Sequence, residues 1–426
     1  MRRARAFHTP RLVAELYGTT TFADCVVAAR YLLGRRDLVQ GPLIAEYEAA
    51  FAREVGVRDA VSFASGRVAF YGLLRALGVG PGDEVLLQVP THVVVVNAVR
   101  YTGAQPVFVD CELDAYNIDL EQAERRTTSR TKVLVLQHTF GIPVDMDVAL
   151  ELARRRNLLV VEDCVHALGA RYDGRPVGSF GAGAFFSTEE TKTISSTMGG
   201  MAVTDDPGLA AALRAFQGRC AWPPPAQVAR YLLKLIAYHV FTQPHVHPYV
   251  RPLYTLLGRS ERTRLAPAAT GSDERSGGRP PDYDQRLSNA QAAIALRQLR
   301  RLRRNLAHRR SVAETYRGQL LPQGFDLPQP PPKAEPAYVR YPVRVADPDA
   351  AFRAAAPHAV LGGWFSSVLG EASSPAAVGY EAGSCPRAEQ LAGKLVNLPT
   401  HERVTNHDVE VILSALASTA TPRTAT

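Results

Sequence analysis

The sequence predicts an α/β fold, a parallel sheet with covering helices, followed by a smaller C-terminal α/β domain. Short β-branched runs closed by polar residues recur at Val85–Val89, Gln105–Asp110, Lys132–Thr139 and Leu158–Val161, and each reads as a buried strand. Between the last two, Asp145–Arg156 makes a helix. Strand, helix, strand at this interval builds a parallel sheet whose faces helices cover. At 426 residues the chain can hold a large core and two domains.

The stretch Val160–Met201 organises the rest. Leu158–Val161 ends on the acidic pair Glu162–Asp163, a glycine-rich connection follows, and a second apolar run spans Ala184–Phe186. Ser187 and Lys192 lie just beyond it, and Gly199–Gly200 marks a tight turn. A carboxylate leaving one strand and a lone lysine after another is what a pyridoxal phosphate site needs. Asp163 would hold the pyridine nitrogen protonated so that the ring accepts electrons. Lys192 would carry the cofactor as a Schiff base and later shuttle the proton.

Ser187-Thr-Glu-Glu-Thr-Lys192 keeps the step of an S-F-x-x-T-K motif, and Glu162-Asp163-Cys164-Val165-His166-Ala167 is similar to E-D-x-A-Q-A. Both resemble the DegT/StrS family of pyridoxal-phosphate-dependent sugar aminotransferases, and the resemblance runs from about Leu38 to Asp408 around one insertion. It implies a fold type I transferase: a large domain with a mostly parallel seven-stranded sheet, then a smaller C-terminal α/β domain. It also implies a homodimer with shared active sites. The activity it implies moves an amino group from glutamate or glutamine to a nucleotide-linked keto sugar, or to a related keto acceptor such as a cyclitol. By the same resemblance His166, standing where the family has glutamine, donates to the ring 3-oxygen, and Ser187 binds the phosphate.

From the N-terminus, residues 1–36 read as a basic arm and a helix, Phe22–Leu33. Leu38–Pro42 is a turn, and Leu43–Val55 an amphipathic helix with Glu46 and Glu48 facing out. Val61–Arg67 leads into a helical pattern, Val68–Leu77. A small-residue turn opening a helix suits a phosphate, because free N–H groups and the helix dipole point at it; the pattern by itself reads rather as an ordinary strand–helix turn. The family's S-G-T-A-A-L element overlays Ser65–Tyr71, which makes Gly66, Arg67 and Val68 cofactor-binding, with Arg67 replacing a threonine. Pro81–Val85 matches the family's G-D-E-V, and gap-free spacing puts Thr91–His92 on its T-F pair. His92 then replaces the aromatic that stacks on the cofactor ring; a lone histidine beside an apolar run is otherwise packing. Val93–Val96 is strand by propensity, and helix by resemblance. His138 reads as a hydrogen-bonded structural histidine within an H-x-x-G-x-P turn.

Cys220–Pro281 is about twice the length the family uses. Gln227–Phe241 carries an apolar stripe at Val228, Leu232, Leu235, Ile236 and Val240. His245, His247, Tyr249, Arg251 and Tyr254 follow, then a loose polar segment, Ala266–Pro281. The histidines lack a metal-binding frame, so no metal site is expected. A lid or subunit-packing element fits this stretch, with contact of 222–260 with a membrane surface as the lesser alternative. Tyr283–Ala293 matches Y-N-Y-R-M-x-x-x-Q-A-A, with Asp284 at the asparagine that reaches the neighbouring subunit's cofactor phosphate. Arg67 then either pairs with the partner subunit's Asp284 across the dimer, neutralising both it and the phosphate, or serves the phosphate or substrate alone while Asp284 points to solvent. A long helix follows to about Leu320 with Arg297, Arg300, Arg301, Arg303, Arg304, Arg309 and Arg310 on a solvated face. Pro328–Pro332 is a stiff linker, Tyr338–Val345 a strand, Cys385–Glu389 precedes a helix, and Asn397–His401 resembles the L-P-x-H close. Ser418–Thr426 is expected to be disordered. The domains are thus 1–216, the insertion 217–281, and 282–426.

Net charge is +8, which favours anionic partners, yet no zinc finger, RNP or helix-turn-helix signature supports nucleic acid. No apolar run approaches the ~20 residues that span a bilayer, and Met1–Arg5 lacks the apolar continuation of a signal peptide, so a cytoplasmic protein is expected. The scattered cysteines (Cys25, Cys111, Cys164, Cys220, Cys385) read as reduced thiols. Two rivals to transamination are sugar dehydration, whose family members carry histidine at the Lys192 position, and a catalytically silent scaffold on the same fold.

Overall fold

The computed structural model describes residues 10–15, 18–34, 37–256 and 270–417, the side chains of 253–256 excepted. The expected arm at 1–9, the Tyr254 side chain, residues 266–269 and the tail Ser418–Thr426 lie outside them.

Seven strands form the central sheet, in the spatial order Asp59–Phe63, Gly200–Thr204, Gly183–Ser187, Leu159–Asp163, Thr131–Gln137, Glu84–Gln88, Gln105–Val109. From Gly183–Ser187 to Gln105–Val109 every neighbouring pair is parallel. Gly200–Thr204 pairs antiparallel with strands on both sides. The inner strands are buried on both faces, which is why they read as continuous apolar runs rather than alternating ones. Parallel register puts Gln137 opposite Asp163, and Asp163 opposite Phe185. The carboxyl ends of these strands therefore form one edge, where open α/β sheets bind ligands.

Helix Gly66–Ala76 packs its apolar face on this sheet through Phe70, stacked on Phe185 at 4.3 Å, and Leu73. Val93–Val96 opens the helix Val93–Thr102, with His92 as its N-cap: the ring Nδ1 accepts from the Val94 N–H at 3.3 Å. Here packing against the core overrides strand propensity. Met146–Arg156 returns to the sheet with Asp145 capping its first turn and Asn157 in left-handed conformation at its end. Tyr341–Arg344 and Leu395–Leu398 pair antiparallel in the C-terminal region, around a separate apolar cluster of Tyr316, Val343, Val396 and Ile412.

Several expectations are corrected. Glu48 does not face out: it is buried, accepts from the Ser62 N–H and hydroxyl at 2.8 and 2.7 Å, and ion-pairs with Arg214. The long arginine-rich helix is two, Asn289–Leu299 and Leu302–Leu320, broken at Arg300–Arg301. On the second, Arg309 is not solvated but 2% exposed. The boundary expected at 216 falls inside the helix Pro207–Arg219. Gly199–Gly200 is required by close approach, since a Cβ at Gly200 would lie 2.2 Å from the Ser65 carbonyl oxygen; Thr197 holds the positive φ of the turn.

The insertion is built into the core. Its helix Pro225–Phe241 buries Val228, Leu232 and Leu235 against Cys25 and Ala28 of the helix Phe22–Gly34, and against Ala290 and Ile294 of Asn289–Leu299. Its outer side leaves Leu233, Val240, Phe241 and, further on, Tyr249 exposed. Between 270 and 281 the chain is not loose either: Ser272–Arg275 forms a short helix with Glu274 buried. No helix among the described residues is long and apolar enough to cross a membrane.

Candidate active site

Strand ends Asp163 and Ser187, the N-terminus of helix Gly66–Ala76, and the loop carrying Lys192 converge at the carboxyl edge of the sheet. Gly66 lies against Ser187: a Cβ there would meet Ser187 Cβ and the Phe186 carbonyl oxygen, each at 3.1 Å. Glycine lets the helix start this close to the lysine-bearing connection without crowding it, which leaves an anion-binding end of the helix beside Ser187. Val68 is 1% exposed and its side chain belongs to the core, so only its main chain is available to a ligand. Ser187 Oγ accepts from the Glu189 N–H at 3.3 Å.

Lys192 Nζ lies 3.2 Å from His166 Nε2. Burial lowers the Lys192 pKa, and the Arg340 charge adds to this against the pull of Glu189 and Asp163. Burial, then the charges of Lys192 and Arg340, push His166 well below its ordinary value. Its Nδ1 is buried with no hydrogen-bond partner. Trp364 packs edge-on against this ring at 4.6 Å, and Phe140 lies parallel to it at 6.3 Å. Asp163 is 1% exposed, and burial raises its pKa to about 6, outweighing the Val165 N–H that donates to Oδ1 at 3.1 Å and the charge of Lys192. The structure thus holds a carboxylate in a place where it favours a cationic neighbour.

His92 faces the same space. Its imidazole is held neutral by burial and by the charges of Lys192 and Arg67, and its Nε2 lies 3.8 Å from Glu371.

Within one chain, Arg67 and Asp284 each have another partner. Arg67 pairs with Glu274 of the insertion at 2.9 Å, and Asp284 with Arg279 at 2.6 Å. Asp284 Oδ1 is nevertheless buried without a partner.

His138 is structural, as its motif suggested. Its Nδ1 accepts from the Val144 N–H at 3.1 Å while Nε2 faces Glu162 at 3.2 Å. Glu162 also accepts from the N–H groups of Gly178, Phe180 and Gly181. Burial opposes its charge, but His138 and these amides hold the carboxyl below its usual range. His138, Glu162 and Cys164 lie close enough to suggest a metal cluster, yet these bonds already engage the first two, and burial raises the Cys164 thiol well above its ordinary value.

The insertion also steadies the lysine loop. Lys234 pairs with Glu190 at 2.7 Å, two residues before Lys192. Sequence reasoning missed Trp364, Glu274, Arg340 and Glu15, since each reaches the site through tertiary packing and none sits in a spaced motif.

The residues fit pyridoxal phosphate: an orphaned ring nitrogen on His166, a buried carboxylate, a glycine-lined helix end, and a buried lysine whose pKa is lowered. Comparison with known proteins agrees. The chain is 34% identical over 290 residues to a GDP-perosamine synthase of Caulobacter vibrioides, covering 68% of this chain and 65% of that protein. It is 41% identical over 170 residues to the GDP-perosamine synthase of Escherichia coli O157:H7, covering 40% of this chain and 47% of that one. The chain thus spans from about half to about two thirds of these relatives. A UDP-N-acetyl-3-dehydro-alpha-D-glucosamine 3-aminotransferase of Acidithiobacillus ferrooxidans is 28% identical over 374 residues, 87% of each chain. In structure it resembles DesV of S. venezuelae, solved in complex with a ketimine intermediate, with a TM-score of 0.72, 28% identity, and 93% and 94% of the two chains covered. A family model matches residues 24–238 and 261–417, and the chain belongs to the DegT/DnrJ/EryC1/StrS aminotransferase family.

Proposed function

We propose that the protein is a pyridoxal-phosphate-dependent aminotransferase that moves an amino group from glutamate or glutamine to a nucleotide-linked keto sugar, or to a related keto acceptor such as a cyclitol. The observation that carries this is the convergence of Asp163 and Lys192 beside the open helix end at Gly66. When bound, the cofactor supplies an electron sink for the carbon that loses its proton.

Gly66, the main chain of Val68, Ser187 and Arg67 would hold its phosphate. Asp163 would face the pyridine nitrogen, where a buried carboxylate gains from a cation what it loses to desolvation. His166 would orient the ring through its unpartnered Nδ1, and His92 would lie against the ring face. Lys192 carries the proton: its lowered pKa makes the free amine available as a base at Nζ, and His166 Nε2 at 3.2 Å holds that nitrogen in place. Trp364 and Phe140 exclude water around the pair.

Lysine at this position favours transamination over dehydration, whose family members have histidine there. The reading includes a homodimer with shared sites, supported by the buried, unpartnered Asp284 Oδ1, and a reducing cytoplasm, which suits five buried free thiols. The insertion serves as a wall of the site, through Lys234–Glu190 and Arg67–Glu274.

The test is a panel of keto acceptors incubated with the cofactor-loaded protein and nitrogen-labelled glutamate or glutamine. Label should appear in an aminated nucleotide sugar or cyclitol. Cofactor retention with no labelled product from any acceptor would count against this substrate class.

A further inference from the structure

The cavity beside Lys192 is richer in cations than the chemistry above uses. Arg309 and Arg340 line it together with Lys192, Glu190, Glu15, Asn397 and neighbouring main chain. Glu190 is already committed to Lys234 at 2.7 Å. Arg309 is buried, and its guanidinium bonds neutral oxygens: Asn305 Oδ1 at 2.8 Å, the Val339 carbonyl at 2.9 Å and Thr400 Oγ1 at 2.9 Å. Among the described residues no carboxylate lies within ion-pair distance of it. A buried cation without a counter-charge makes its surroundings attractive to an anion.

Arg340 has one such anion already. Its Nη1 lies 3.0 Å from Glu15 Oε1, with the arginine 14% and the glutamate 29% exposed. Glu15 arrives on an N-terminal strap tied to the C-terminal region: the Val13 N–H donates to the His358 carbonyl, the Val360 N–H donates to the Val13 carbonyl, and Arg11 bonds both Asp408 oxygens. Room for its carboxylate comes from Gly362, where a Cβ would lie 2.6 Å from Glu15 Oε1. The place is therefore shaped around a carboxylate beside the Arg340 guanidinium.

We infer that Arg340, backed by Arg309, takes a carboxylate of the amino-acid donor, and that Glu15 occupies Arg340 as an internal surrogate until the donor displaces it. The inference rests on the aminotransferase reading. A donor's α-carboxylate is one carbon from the nitrogen that must come to the place of Lys192 Nζ, so a guanidinium in the same small cavity is placed to receive it. The diphosphate of a nucleotide sugar stands several bonds from the reacting carbonyl and would need a more distant cation. An arginine fork also matches a carboxylate bidentately, and an exposed-edge glutamate on a strap is a carboxylate that can leave.

The test uses the cofactor-loaded protein and glutarate, a dicarboxylate without an amine, titrated by calorimetry, alongside donor and acceptor KM values. Arg340→Met should weaken glutarate by about 10- to 100-fold, the loss of a charge-assisted hydrogen-bonded pair, and raise donor KM while leaving acceptor KM unchanged. Glu15→Gln should tighten glutarate several-fold, because the surrogate charge is gone. Unchanged glutarate binding in Arg340→Met, or a rise in acceptor KM instead, would overturn the assignment. So would a Glu15→Gln protein that binds glutarate no better than wild type, a result that does not depend on how Arg340→Met folds. If no amino acid changes the absorbance of the wild-type cofactor, the donor assignment falls with the aminotransferase reading. An Arg340-dependent glutarate response would then mark that failure as one of reaction, not of the anion site.

Discussion

Lys192 Nζ and His166 Nε2 lie 3.2 Å apart, and burial drives both nitrogens toward their neutral forms. A lysine that loses its proton below the ordinary lysine range offers a free amine to a carbonyl at milder pH. The rate of cofactor attachment should rise with pH through the lowered Lys192 pKa and level off before the range of an exposed lysine. Lys192→Ala should reduce turnover by about 10²–10⁴-fold or more, since it removes both the attachment point and the proton carrier, while circular dichroism and thermal unfolding stay close to wild type. Stopped-flow absorbance with pyridoxal phosphate and steady-state assays measure the two effects.

Asp163 makes the opposite trade. Its folded pKa of about 6 lies above its ordinary 3.8, so between these values the folded protein binds the extra proton and stability falls as pH rises. Above pH 6 the cofactor-free protein carries this cost in full, about 3 kcal/mol at ~1.4 kcal/mol per unit. Asp163→Asn should therefore stabilise the cofactor-free protein at pH 8 by ~1–3 kcal/mol in urea unfolding, while slowing turnover about 10²–10³-fold. A cofactor-free mutant no more stable than wild type at pH 8 would show that the carboxylate is not strained by burial.

The helix Pro225–Phe241 is a core element, because Leu232 is 1% exposed between the helices Phe22–Gly34 and Asn289–Leu299. Leu232→Ala should cost about 2–5 kcal/mol, and excising 223–276 should uncover Cys25, Ala28, Ala290 and Ile294 and give poorly folded protein. Leu233→Ala, on the exposed side of the same helix, should change unfolding free energy by less than ~0.5 kcal/mol. Chemical denaturation of the pair checks both.

Arg67 meets Glu274 at 2.9 Å, and Asp284 meets Arg279. Glu274→Gln should remove one counter-charge from Arg67 and tighten pyridoxal phosphate several-fold. Arg67→Thr should weaken it about 10-fold or more, and Asp284→Asn should not rescue that loss. Fluorescence titration of the cofactor-free proteins distinguishes these outcomes from rescue across a dimer.

The sheet was legible because its inner strands are buried on both faces, which leaves uninterrupted runs such as Leu158–Val161 closed by charged residues. Asp163, Ser187 and Lys192 were legible because strand ends and short loops keep their spacing. Glu48 and Arg309 were misread for one reason: a charged residue on a helix reads as solvated, and only tertiary partners such as Arg214, Val339 and Thr400 make its burial affordable. Glu274 and Glu15 were invisible because each approaches its arginine from far along the chain, over 207 and 325 residues respectively (274 − 67 and 340 − 15).

The most direct test of the account is to incubate the protein with pyridoxal phosphate, reduce it with borohydride, and map the modified peptide by mass spectrometry. Lys132, Lys234, Lys333 and Lys394 provide the internal controls, since their amines are engaged by Gly78, Glu190, Asp147 and Ala346. The account predicts one adduct, on the peptide containing Lys192, absent from Lys192→Ala. An adduct on any other lysine, or its persistence in Lys192→Ala, would contradict it.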